Sequence, residues 1–162
     1  MGFDIHGLNP RINTKSKDYP TYSKFEKMSF EEKWKILEAD EELRDKYWDE
    51  LSEFEKANPG NYFRNNCWWW RPLWDYIYNE LDILTEKEWD SGHYNDGYTI
   101  PESKATQIGI ELHTHLASGR VTEYKKEYEE REKDAEYQYP FDEDNVRAFA
   151  DFCLQSGGFD IC

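Results

Sequence analysis

The residues best suited to binding a ligand are concentrated in one stretch, YFRNNCWWWRPLW at 62–74. Residues 61–78 hold eight aromatic residues, two arginines and a single acid, in a chain of net charge −15. Arginine forks bind phosphate or carboxylate, and asparagine amides pair with base edges or carbonyls. Stacking on an aromatic ring contributes about 1–3 kcal/mol per base. These types together predict a site for a planar anion such as a nucleotide, formed by Tyr62, Arg64, Asn65, Asn66, Trp68, Trp69, Trp70 and Arg71.

The same stretch also has a purely structural interpretation. If 61–71 is extended, Trp69 and Arg71 share one face, and Trp68 and Trp70 share the other. Both faces cannot meet water without exposing a large apolar patch, so at least one set belongs to the core. Aromatic clusters are more often core than site, and arginines can pack over such rings through cation–π contacts. The sequence leaves both interpretations open.

No other constellation in the chain predicts catalysis. His113 and His115 would lie about 200° apart on a helix and cannot share a metal. His6 and His93 could join nearby acids at a metal, but no spacing requires it. Phosphate-loop, serine-hydrolase and zinc-protease motifs are absent from the sequence. We therefore predict no catalytic residue, no metal and no cofactor, and a metal-assisted hydrolase remains only as a third alternative.

Charge and cysteine content restrict the partners and the compartment. With 20 basic and 35 acidic residues, the chain should repel nucleic acid and anionic membranes. The acidity is explained either by solubility or by mimicry of a DNA surface. The three cysteines have no CxxC spacing, and no basic, apolar leader begins the sequence. We expect free thiols in a reducing cytoplasm.

Helix signals recur along the chain. Ser29 with Glu32 three residues later is a capping box, and Phe30 and Trp34 begin an apolar stripe behind it. A break near residues 39–40 divides this stretch, which is acidic throughout. Proline starts, glycine stops and apolar spacing predict further helices at 72–81, 101–119, 121–136 and 142–157. Residues 11–28 and 82–100 are predicted to be irregular.

Both ends of the sequence carry the motif GFDI, at 2–5 and at 158–161. Each run is too short to be stable alone, so pairing them in one sheet is favoured, with coincidence as the alternative. The predicted fold is α+β, a helix-rich single domain over 1–162. Its small sheet is formed by the short terminal strands and the 61–71 segment.

Three motifs together resemble a family of small, uncharacterised proteins of tailed phages. They are the opening MGFDIHGLNP, the central YFRNNCWWWRPLW and the closing SGGFDIC. The resemblance covers 1–10 and 61–162, and it makes 11–60 an acidic helical insertion. Relatives often carry a cysteine-rich stretch before the last helix, whereas 130–139 has no cysteine here, so no zinc site is carried over. The resemblance implies an accessory protein that counters host defence in the bacterial cytoplasm.

Two non-enzymatic functions follow. The first is sequestration of a nucleotide-derived signal in the Arg/Trp site, which could be shared between copies in a homo-oligomer. The second is an acidic inhibitor, similar to a DNA mimic, that masks a host nucleic-acid-binding defence protein through the segment 29–57. That segment contains eleven acids and five bases.

Overall fold

The computed structural model describes residues 2–162, which form two compact units. One unit comprises the N-terminal residues up to Arg11 together with Pro59–Cys162, and the other is Ile12–Asn58. Within the described residues there are eight α-helices and one four-stranded antiparallel sheet, which confirms the helix-rich α+β fold. That the chain is one domain with an insertion at 11–60 stays a prediction.

The unit Ile12–Asn58 is entirely helical. After a 3-10 turn its helices are α1 Pro20–Phe25, α2 Phe30–Ala39 and α3 Glu41–Ala57. The capping box of Ser29 and Glu32 forms as predicted, and Asp40 ends α2 and caps α3 by accepting the Leu43 N–H. The prediction that 11–28 is irregular was wrong for α1, which begins at a proline whose missing N–H costs nothing in a first turn.

The core of this small unit is narrow. Phe25, Leu37 and Tyr47 are buried together, and the surrounding side chains are only partly covered. The predicted inward stripe was wrong at its start, since Phe30 and Trp34 are exposed. The three helices, of which α1 has only six residues, have too few facing positions to cover every apolar residue on α2.

The sheet belongs to the larger unit and has the strand order β2-β1-β4-β3. Its strands are β1 Gly2–Gly7, β2 Tyr62–Asn66, β3 Tyr98–Pro101 and β4 Gly158–Ile161. The two GFDI motifs pair as predicted, with Ile5 opposite Ile161 and His6 opposite Asp160. Alternation then buries the apolar members of both motifs on one face of the sheet.

Two predictions about backbone type are corrected here. Residues 82–100 are not all loop, because they contain helix α5 Glu86–Ser91 and the start of β3. A Thr85–Glu88 capping box begins that helix. The 61–71 segment contributes a strand only as far as Asn66, because helix α4 Cys67–Leu81 begins five residues before Pro72.

The remaining helices are α6 Glu102–Ser118, α7 Arg120–Glu132 and α8 Glu143–Gln155. Gly119 ends α6 in the left-handed conformation at φ 82°, as the glycine stop predicted. The inward faces of α6 and α8 join the sheet and α4 in one core. Leu154, near the end of α8, is exposed. In the described part of the chain, no helix combines the length and apolarity needed to span a bilayer.

Candidate functional site

The junction between β2 and α4 decides where the tryptophans lie. The side-chain oxygen of Asn66 accepts the backbone N–H of Trp69 at 3.1 Å, so a helix begins at Cys67 rather than at Pro72. Pro72 therefore lies inside α4, and the carbonyl of Trp68 has no N–H four residues later to bond. Successive residues are rotated by about 100° on a helix, not by the 180° of a strand. The three tryptophans consequently enter three different environments.

Trp70 is core. It is fully buried and stacks between Phe3 and Trp74, with ring centroids 5.6 and 5.1 Å away. Its indole N–H donates to the carbonyl of Gly92 at 2.7 Å. The prediction that Trp70 belongs to the ligand-binding set is therefore corrected, because this ring has no exposed face and its donor is already bonded.

Trp68 and Trp69 are accessible. Trp68 is 48% exposed and meets Tyr139 edge to face at 4.8 Å. Trp69 is half-buried and lines a cavity of about 340 Å³. We call this space the Trp69 cavity, and its lining is Trp69, Lys125, Tyr128, Glu129, Glu132, Gln138, Tyr139, Pro140, Phe141 and Asp142. Its walls come from α4, from α7 and from the segment that leads into α8.

Tyr62 and Arg64 lie on the solvent-facing side of the sheet, opposite the side that packs on the core. Arg64 is opposite Asp4 in the register, with Nε 3.5 Å from the carboxylate. The Tyr62 hydroxyl donates to the same carboxylate, and its ring is tilted against His6 at 5.2 Å. The positive charge of Arg64 is thus already opposed by a carboxylate on the neighbouring strand.

The two asparagines have structural partners. Asn65 and Asn145 form a reciprocal amide pair, with each amide nitrogen 2.9 Å from the other's oxygen. Asn66 uses its oxygen to cap α4. Two of the groups predicted to recognise a base therefore hold β2 and α4 in place.

Arg71 lies on α4, in a setting different from that of Arg64. Its charge opposes protonation of His93, whose Nε2 is 3.2 Å from Asp75. The His93 Nδ1–H donates to the carbonyl of Trp89 at 2.8 Å, so both ring nitrogens face acceptors. The hydrogen bond to Asp75 raises the pKa of His93 despite the opposing effect of burial. The structure thus places Arg64 on the open face of the sheet and Trp70 in the core, and ligand binding by the accessible residues of the predicted set stays a prediction.

A second charged pair fixes α5 to α6. Lys104 Nζ donates to Glu88 at 2.6 Å. Burial alone would raise the pKa of Glu88, but the hydrogen bonds from Lys104 and from Thr85 outweigh it and lower the pKa. This pair stabilises α5, which supplies the Trp89 carbonyl to His93 and leads directly into Gly92, the partner of Trp70.

The unit Ile12–Asn58 carries its own candidate surface. Phe30 is 73% exposed and Trp34 is 41% exposed, and their rings are parallel within 6° at 6.1 Å. We call this pair the Phe30–Trp34 surface. Acidic side chains, Glu31 and Glu32, occupy the first turn of the same helix. Aromatic residues are enriched at the centres of protein interfaces, so an exposed aromatic pair is a candidate binding surface.

The histidines give no metal centre. His113 bonds Asp151 at 2.8 Å, and His115 bonds the buried Tyr76 at 2.7 Å. Among residues 2–162 no group of three or more His, Cys, Asp or Glu side chains could hold a metal ion. Cys67, Cys153 and Cys162 carry free thiols.

Sequence reasoning named Trp69 and the segment 29–57, but it missed the other residues of the Trp69 cavity and the exposure of Phe30 and Trp34. The cavity residues of α7 and of 138–142 lie in a stretch rich in Glu, Lys and Tyr, which indicates an exposed helix and gives no sign of what it faces. The one available signal was the number of tyrosines there, more than a solvated helix needs. Comparison of the chain with protein-family models, curated proteins and solved structures found no match.

Proposed function

We propose that this protein is a non-enzymatic binding protein that uses an acidic surface with exposed aromatic residues to mask a basic partner protein. The observation that carries the proposal is the Phe30–Trp34 surface, two large rings left in water on a helix whose first turn is acidic. Aromatic side chains are enriched at binding hot spots because they bury much area with few rotamers to fix. The exposed rings would supply the buried centre of an interface.

Charge supports a basic partner. The two helices that carry and adjoin this surface lie in the segment with eleven acids and five bases, in a chain of net −15. Complementary charge raises association rates and disfavours acidic competitors. Proteins that bind nucleic acid present such basic surfaces. The resemblance to tailed-phage proteins implies that the partner is a host defence protein of the bacterial cytoplasm.

Sequestration of a nucleotide has less support from the geometry. It required Arg64 and Arg71 to meet stacked tryptophans in one pocket, whereas Arg64 pairs with Asp4 and Trp70 is core. The Trp69 cavity, which keeps a predicted ring accessible, is lined by three carboxylates and one lysine. Such a lining repels phosphate. A hydrolase has no support from any metal-binding group in residues 2–162.

The test compares three forms of the full chain. Phe30→Ser with Trp34→Ser removes the exposed rings without touching the buried residues of α2, and Ile110→Ser, on an exposed position of α6, is the matched control. Each form is used to capture proteins from a bacterial extract. A captured protein is then purified, and its binding to a labelled DNA or RNA fragment is measured by fluorescence anisotropy.

The proposal expects capture of a basic, nucleic-acid-binding protein by the wild type and the Ile110 variant, with loss of its nucleic-acid binding. The double variant should neither capture nor inhibit it. Equal capture by all three forms would refute the proposed surface. A nucleotide that raises the melting temperature of the wild type but not of Arg71→Ala would favour sequestration instead.

A further inference from the structure

The Trp69 cavity has the walls of a site for an organic cation. The rings of Trp69, Tyr128, Tyr139 and Phe141 line a space of about 340 Å³. Aromatic faces carry negative potential, and a cation within about 6 Å of a ring centroid is attracted to it. This volume is at the low end of small-ligand pockets, which run from about 300 to 1,000 Å³. It suits one side chain better than a nucleotide.

The charges around the cavity also favour a cation. Three carboxylates, Glu129, Glu132 and Asp142, line it against one ammonium group, that of Lys125. Lys125 Nζ is 3.9 Å from Glu129 and 3.8 Å from Asp142. One ammonium group is therefore shared by two carboxylates, and both ion pairs are long. Arg131 Nε lies 3.5 Å from Glu132, so the three carboxylates face two cations and the cavity retains an excess of one negative charge.

Arg131 of this chain already places a cation over one of these rings. The guanidinium of Arg131 lies 5.4 Å from the centroid of Tyr128, and its Nε is 3.5 Å from Glu132. Burial, aided by the charge of Glu132, raises the pKa of Tyr128 to about 12, so this ring stays neutral. A guanidinium thus combines a tyrosine face with a carboxylate at the wall of the cavity.

We propose that the Trp69 cavity binds an arginine side chain of a partner polypeptide. Arginine is favoured over lysine because its planar fork can stack on a ring while bonding a carboxylate in two places. The cavity lies in the larger unit, away in sequence from the Phe30–Trp34 surface. The inference therefore stands whether or not that surface binds a partner.

The experiment uses the full chain labelled with ¹⁵N and follows the indole N–H signal of Trp69, assigned from its loss in Trp69→Phe. The probes are a blocked Ala-Arg-Ala peptide, the same peptide with neutral citrulline, and free arginine. Citrulline keeps the shape and removes the charge. Free arginine separates the two sources of a guanidinium, because it carries the same side chain but lacks the flanking peptide groups that can contact the rim of the cavity.

We expect the arginine peptide to shift the Trp69 signal saturably, the citrulline peptide to leave it unchanged, and free arginine to bind more weakly. Glu129→Gln with Glu132→Gln should weaken the peptide at least about tenfold, the loss expected from charge-assisted hydrogen bonds. Glu130→Gln, an exposed acid of the same helix outside the lining, should leave the affinity unchanged. An unmoved Trp69 signal, equal binding of citrulline, or equal affinity in the double variant would overturn the proposal.

Discussion

Replacing Trp70 with phenylalanine tests whether the tryptophan run is core or site. The change removes an indole N–H that donates to the Gly92 carbonyl at 2.7 Å, leaving a buried acceptor unpaired. That loss costs about 1–3 kcal/mol. The smaller ring also leaves a void between Phe3 and Trp74, which adds about 1–2 kcal/mol. The free energy of unfolding should therefore fall by about 2–5 kcal/mol.

Trp68→Phe is the matched control. Trp68 is 48% exposed, and phenylalanine can keep its edge contact with Tyr139, so the cost should stay below about 1 kcal/mol. Urea denaturation followed by circular dichroism gives both values. With a slope of about 1–3 kcal/mol per molar urea, Trp70→Phe should lower the midpoint by at least about 0.7 M. Equal midpoints for the two variants would refute the assignment of Trp70 to the core.

Three further variants test the electrostatic and capping contacts around the same helices. Asn66→Ala removes the cap of α4 and should lower the free energy of unfolding by about 1 kcal/mol in urea denaturation. Lys104→Met should lower the free energy of unfolding by about 1.5–3 kcal/mol at neutral pH. Because Glu88 has a lowered pKa in the folded state, the difference in melting temperature from wild type should vanish as the pH falls through that pKa. Asp75→Asn should show the opposite pH dependence. The raised pKa of His93 in the folded state gives stability that is complete below its unfolded pKa of about 6.5 and is lost as the pH rises through the folded pKa. The loss of stability in the variant should therefore be largest near about pH 6 and smallest near about pH 9.

Each of these variants has an exposed control on or next to the same helix. Asn79→Ala, Lys87→Met and Asp90→Asn alter the same residue types at solvent-facing positions. Their unfolding free energies should stay within about 0.5 kcal/mol of wild type. A pH dependence in Asp90→Asn equal to that of Asp75→Asn would contradict the assigned role of His93.

Backbone boundaries that depend on neighbouring residues were predicted well. The capping box of Ser29, the break at Asp40 and the stop at Gly119 all form. Each is a hydrogen bond or a backbone conformation involving residues within four positions, so the sequence contains all of its parts. The pairing of the GFDI motifs was also predictable, because two short alternating runs have few other ways to bury their apolar sides.

The same kind of local signal was misread at one place, with large consequences for the site. Asn66 is a favourable N-cap and Pro72 is a favourable first helical residue, so the sequence allows the helix to begin at either place. In the structure it begins after Asn66. Moving the start of α4 by five residues converts an alternating strand into a helix. Tyr62 and Arg64 then lie on the open face of the sheet, Trp70 in the core, Trp69 at the Trp69 cavity and Trp68 on the surface.

The sequence by itself determined the α+β class, most helix ends and the pairing of the terminal strands, since these follow from short-range hydrogen bonding and from alternation along the chain. Tertiary structure alone decided which aromatic rings remain accessible. Trp70 is covered because the sheet and α8 pack against it, whereas Phe30 and Trp34 lie on a helix with too small a core to bury them. Burial depends on what approaches from distant parts of the chain, and side chains of the same type give no local sign of that.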